Sequence, residues 1–100
     1  MRYDSVMHII SHAKVLQAQA QYPSCLVALD NWYRLTKRVR WQNFSQVKAC
    51  FPAVDKVGDK YVFDIGGNKL RLIAAIHFNT GRLFVRAILT HNEYDKGDWK

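Results

Sequence analysis

Apolar residues recur with two different periods along this chain, and the change falls near Val54. In the first half Leu26, Leu29 and Tyr33, then Lys37, are spaced by three and four, the interval that keeps side chains on one helix face. The spacing predicts a helix capped by Ser24 and running to about Arg38, with Cys25, Leu26, Leu29, Trp32 and Tyr33 on its apolar side. A shorter helix with a weaker apolar face is expected from about His12 to Ala20, capped by Ser11 and broken by Tyr22-Pro23-Ser24. Asn43 or Ser45 is placed to cap a third short helix through Ala49, closed by Pro52. Met7 to Ile10, short and mostly apolar, reads as an edge strand.

Beyond Val54 the period is two. Lys60 to Ile65 sets Tyr61, Phe63 and Ile65 on one face of a strand, and Gly66-Gly67-Asn68 makes a hairpin turn because these residues tolerate positive φ. A long strand from Lys69 to Phe78, a turn over Asn79 to Arg82 with Gly81 left-handed, and a last strand from Leu83 to Leu89 follow. The polar tail from Thr90 begins with a helical turn, and residues 97–100 are expected to be flexible. The order implies one α+β domain over residues 1–100: a small antiparallel sheet, a meander with two to three helices packed on one face.

Strand parity then sorts the side chains. Leu70, Leu72, Ala74, Ile76 and Phe78 share the face expected under the helices, and Lys69, Arg71, Ile73, Ala75 and His77 share the other. In the last strand Leu83, Val85, Ala87 and Leu89 alternate with Arg82, Phe84, Arg86 and Ile88. Lys69, Arg71 and Arg86 are therefore expected together on the uncovered face, with His91, Glu93, Tyr94 and Lys96 just past the strand end. Cations beside a histidine and a tyrosine suit a phosphodiester.

Charge sharpens this picture. Fifteen Lys and Arg against eight Asp and Glu give +7. No acid lies between Asn31 and Val54, where Arg34, Lys37, Arg38, Arg40 and Lys48 all fall. That field favours a polyanion or an acidic protein. Glu93 is the sole glutamate, so a paired-carboxylate hydrolase or a carboxylate-held metal nuclease is hard to build. His8 and His12 lack a third ligand, and Cys25 and Cys50 fit buried thiols better than a disulfide framework or a zinc site. No apolar run exceeds five residues, the length of Leu72 to Ile76, far short of a transmembrane helix, and the start lacks the apolar stretch of a secretory signal. The cytoplasm is the expected compartment.

Several segments together resemble a known family. They are Lys60 to Ile73 (KYVFDIGGNKLRLI), Phe84-Val-Arg86 and Thr90 to Lys96 (THNEYDK), with Met7 to Ile10 and Cys50-Phe-Pro52 in support. The pattern is similar to the HigB-type toxins of bacterial toxin–antitoxin pairs, RelE-like endoribonucleases that cut messenger RNA, generally on the ribosome. It covers nearly the whole chain from Met7, and Met1 to Val6 reads as an N-terminal extension. The resemblance implies a RelE-like α+β fold and metal-independent attack of the ribose 2′-oxygen on the adjacent phosphate, with no cofactor. It also implies a HigA-type helix-turn-helix antitoxin, in a complex expected to be a heterotetramer. Asn68, Lys69, Arg71, Arg86, His91, Tyr94 and Lys96 match its motif positions.

The chemistry distributes roles among these residues. Arginine stays protonated, so Arg71 and Arg86 can stabilise a phosphorane but cannot act as bases. His91 is the natural proton shuttle. Tyr94 can donate a proton or stack on a base, and Asn68, Lys69 and Lys96 can bind substrate, a lysine of lowered pKa also serving as a base. Plainer roles compete: a strand-edge arginine, a capping histidine, a core tyrosine. Trp32 and Trp41 can stack on RNA or anchor a helix to the sheet. Two other functions fit the same surface, a noncatalytic RNA-binding module and a RelE-fold toxin acting on a protein such as a topoisomerase.

Overall fold

The computed structural model of the chain describes residues 6–100, so Met1 to Ser5 of the expected extension lie outside the described residues. The order is β1 (His8–Ile10), α1 (His12–Gln21), a 3-10 turn (Pro23–Cys25), α2 (Leu26–Thr36) and α3 (Phe44–Cys50), followed by β2 (Asp55–Val57), β3 (Lys60–Ile65), β4 (Leu70–His77), β5 (Arg82–Thr90) and α4 (His91–Lys96). The α+β architecture is the expected one, with β3, β4 and β5 forming the antiparallel meander.

Three local expectations are corrected. Ser11 precedes α1 but adopts a left-handed backbone (φ 74°), not the extended one a capping side chain needs, and only its carbonyl accepts the Lys14 N–H, at 3.0 Å. Ser24 caps nothing because Pro23 starts a 3-10 turn around it, so α2 begins at Leu26 and ends at Thr36. Leu26 is exposed, and the buried face of α2 is Leu29, Trp32 and Thr36. Asn43, by contrast, caps α3, its side-chain oxygen accepting the Gln46 N–H at 3.0 Å.

The sheet order is β1-β5-β4-β3-β2. β1 pairs parallel to β5, His8 opposite Arg82, so one edge departs from an all-antiparallel meander. β2, which sequence periodicity does not reveal, adds the other edge, joined to β3 through Gly58 at φ 62°. A three-residue strand is too short to display a period.

Helices cover one face. Trp32 and Trp41, 1% and 2% exposed, anchor them to the sheet, their rings 5.4 and 6.3 Å from that of Phe63. Burying a side chain of this kind contributes about 1.5–3 kcal/mol. Tyr61, Phe63, Ile65, Leu70, Leu72, Ala74, Leu83 and Val85 complete this core, as parity predicts. The parity then breaks. Ile73 pairs with Ala87 and Ala74 with Val85, leaving Arg86 without a partner in a β-bulge. Past the bulge the faces exchange: Ile88 packs on the core, while Ala87 and Leu89 share the open face with Ile73 and Arg71. The expected grouping of Ala87 and Leu89 with Leu83 and Val85 is thereby corrected, because an extra residue shifts a period-two pattern by one.

Candidate active site

The site grows from the β3–β4 hairpin. Gly66, Gly67 and Asn68 all take left-handed backbone angles (φ 65°, 62° and 74°), which turn the chain tightly enough to set Ile65 opposite Leu70. Asp64 and Arg71 are therefore cross-strand partners on the open face. One carboxylate oxygen, Oδ1 of Asp64, accepts both the Asn68 backbone N–H at 2.7 Å and an Arg71 guanidinium N–H at 3.1 Å. The Arg71 side chain is only 15% exposed. Its charge is held in place by the residue that also ties down the turn.

Helix α4 supplies the second wall. Thr90 and Glu93 close a reciprocal capping box, the Thr90 hydroxyl accepting the Glu93 N–H and the Glu93 carboxylate accepting the Thr90 N–H at 2.8 Å. Gly97 ends the helix with φ 76° and turns the chain back. Tyr94 lies against Arg71, its ring centre 5.5 Å from the guanidinium carbon. Trp99 stacks on Tyr94 at 4.9 Å and donates its indole N–H to the Tyr94 carbonyl at 2.8 Å. The sequence yields neither Asp64 nor Trp99 as a site residue. The hairpin register points to Asp64, whereas nothing local marks Trp99.

Two hollows adjoin this cluster. Ala53, Asp55, Val62, Asp64, Asn68 and Arg71 line one of about 180 Å³. Ala87, Leu89, Glu93, Lys96, Asp98 and Trp99 line one of about 430 Å³. Leu89 is the register partner of Arg71 and Ala87 follows Arg86, so the larger hollow lies along the strand that joins the levels of the two arginines.

Of the residues expected to act together, Asn68, Arg71 and Tyr94 are gathered, and Lys96 shares the larger hollow with Trp99. Lys69 ends the hairpin turn, exposed. Arg86 is exposed at the bulge, its guanidinium carbon 5.5 Å from the Phe84 ring centre. His91 opens α4 and pairs through Nε2 with Asp95 at 3.2 Å, both groups more than half exposed. Asp59, its carboxyl held below the usual range by a hydrogen bond from Lys60, and Tyr61, its phenol pushed up by burial, lie outside this cluster. Among the described residues no three His, Cys, Asp or Glu side chains gather as metal ligands, and no helix is long and apolar enough to cross a membrane.

The basic residues of the helical half are less uniform than their spacing suggests. Arg34 pairs with Asp30 at 2.9 Å, and Lys37 sits over Tyr33, whose other neighbour is the stacked His12 ring at 3.9 Å. With Arg38 they line a hollow of about 420 Å³ between α1 and α2. Arg40 donates to the Trp41 carbonyl at 2.6 Å and packs over Gly81, where a Cβ would come within 2.9 Å of its Nε. Lys48 donates to the carbonyls of Pro52 and Val54. Arg40 and Lys48 thus tie loops together, while Arg34, Lys37 and Arg38 face a shared hollow.

Comparison with known proteins gives a consistent result. A family model described as HigB toxin, RelE-like toxic component of a toxin–antitoxin system, matches residues 25–97. The chain is 42% identical over 93 residues to an mRNA interferase HigB of Escherichia coli, the match covering 90% of each chain. It is 37% identical over 95 residues to an mRNA interferase HigB of Shigella flexneri, covering 89% of this chain and 88% of that one.

Proposed function

This chain belongs to the HigB toxin family, the RelE-like toxic components of toxin–antitoxin systems, and from that premise we propose that it is a ribosome-dependent endoribonuclease acting on messenger RNA. The relatives' designation as mRNA interferases supports the activity. The observation that carries it to this site is the Arg71 guanidinium, fixed between Asp64 and Tyr94 at the end of the open sheet face.

In the proposed reaction the substrate's 2′-oxygen attacks the adjacent phosphorus, and the bond to the 5′-oxygen breaks. The products are a 2′,3′-cyclic phosphate and a free 5′-hydroxyl. A base takes the 2′ proton and an acid returns one to the leaving oxygen, so no metal ion is needed. Arg71 and Arg86 neutralise the charge that builds on the phosphorane. Asn68, Lys69 and Lys96 bind the substrate. His91, oriented by Asp95, shuttles the proton, and Tyr94 is the second candidate because it already lies against Arg71. Arg34, Lys37 and Arg38 supply a ribosomal RNA contact on the helical side, with Arg40 and Lys48 holding its loops.

Family membership brings an antitoxin partner. We take it to be of the helix-turn-helix HigA type, forming a heterotetramer with the toxin in the cytoplasm. Induced expression followed by mapping of mRNA 5′ ends tests the function. New 5′-hydroxyl ends within translated messages are expected, and Arg71→Ala at equal protein level should produce none. Growth arrest without such cuts would overturn the reading in favour of a protein target.

A further inference from the structure

The β4–β5 hairpin carries a second group of cationic and aromatic side chains at the end away from Arg71. His77 and Arg82 are cross-strand partners there, both exposed. Phe84, opposite Ala75, lies on the same face, and its ring meets that of His77 edge to face at 5.2 Å. The Arg86 guanidinium sits over Phe84, so the bulge residue extends this group along β5. No Asp or Glu occurs between Asp64 and Glu93, which leaves the hairpin without a carboxylate. Arg71 to His77 spans six residues of strand, about 20 Å at the usual rise.

Resting on the endoribonuclease reading, we propose that His77, Arg82 and Phe84 form an RNA-tracking subsite that holds the single-stranded substrate to one side of the scissile bond. Arg82 and His77 bind phosphate oxygens, and Phe84 provides an apolar surface for a base. Alternation of cations with an aromatic ring on a rigid strand matches the alternation of phosphate and base along a single strand. An acidic peptide would use the cations alone. Contact with Arg86 also favours RNA, since it extends the row of cations along β5.

Fluorescence anisotropy of the full chain with labelled 2′-O-methyl oligoadenylates of three and nine nucleotides tests the subsite. The nine-mer should bind more tightly than the three-mer. Arg82→Ala combined with Phe84→Leu should weaken the nine-mer about ten-fold, lower its salt slope by about 0.7 for the lost phosphate contact, and leave the three-mer unchanged. Arg82→Glu alone, at an exposed position, should give the same selective loss without touching packing. Survival of the nine-mer's advantage in both variants would overturn the subsite, as would equal loss for both lengths. So would competition by a polyglutamate nonapeptide as effective as that by RNA. A wild-type protein that binds in this length-dependent way but fails to cut mRNA on ribosomes would sink the endoribonuclease reading and leave the subsite standing.

Discussion

Removing the Asp64 carboxylate is expected to damage both stability and activity through Arg71. At 3.1 Å the two unit charges attract by about 5 kcal/mol at an effective dielectric of 20. Desolvation offsets much of this, since the side chains are only 15% and 23% exposed. A charge-assisted hydrogen bond in such a setting contributes about 1.5–3 kcal/mol net. Asp64→Ala also removes the acceptor of the Asn68 N–H, a further ~1 kcal/mol. The total, roughly 2.5–4 kcal/mol, corresponds to a Tm lower by about 10–30 °C for a domain of this length. Asp64→Asn keeps an acceptor for Asn68 and should cost about half as much. A double-mutant cycle of Asp64→Asn with Arg71→Gln, followed by urea denaturation, isolates the pair. The expected coupling is about 1–3 kcal/mol. Single-turnover cleavage by Asp64→Asn should fall towards that of the Arg71 variant, because an unanchored guanidinium no longer waits in position for the phosphorane. A coupling below about 0.3 kcal/mol, with unimpaired cleavage, would refute the claim that Asp64 positions Arg71.

Arg86→Ala should leave Tm unchanged, because the side chain is exposed, while raising the barrier by about 2.7–4 kcal/mol; wild-type growth arrest by this variant at equal protein level would remove Arg86 from the chemistry. His91→Ala should slow single-turnover cleavage about 10²–10⁴-fold with little loss of ribosome binding, and His91→Gln should not rescue it. If His91→Gln cleaves normally while Tyr94→Phe or Lys96→Ala does not, the proton transfer belongs to one of those residues. Reversing charge at Arg34, Lys37 and Arg38 together should weaken ribosome binding and flatten its salt dependence. Arg40 is left out of that set because it packs over Gly81, and its loss should instead lower stability. Trp99→Ala should cost about 0.5–1.5 kcal/mol by removing the stack on Tyr94, visible as a lower urea midpoint.

Local chemistry made much of this molecule legible. The bounds of β3, the left-handed Gly66-Gly67-Asn68 turn, the Asn43 cap and the helical turn after Thr90 all depend on neighbours within a few residues. The candidate site was legible to the same depth. Arg71 follows from strand parity in the hairpin and Tyr94 from its place just past the last strand, whereas Asn68 enters as a site residue through the family resemblance alone. Ser11 and Ser24 show the limit of capping rules, since each has a capping side chain in a backbone set by the turn around it.

The amino-acid sequence by itself determined the two periods, every element but β2, and the core side chains that precede the bulge. The tertiary structure alone decided how the strands are matched. The parallel pairing of β1 with β5 joins segments some seventy residues apart, which no period within either segment encodes. The bulge at Arg86 exists only relative to β4, yet it exchanges the faces of Ala87, Ile88 and Leu89 and leaves Arg86 lining a hollow shared with α1. The approach of Tyr94 to Arg71 likewise needs α4 docked on the sheet. The physical reason for the first two is register. Alternation specifies a strand's faces but not its register, and a shift of one residue reverses every side chain; only packing between distant segments selects among the registers.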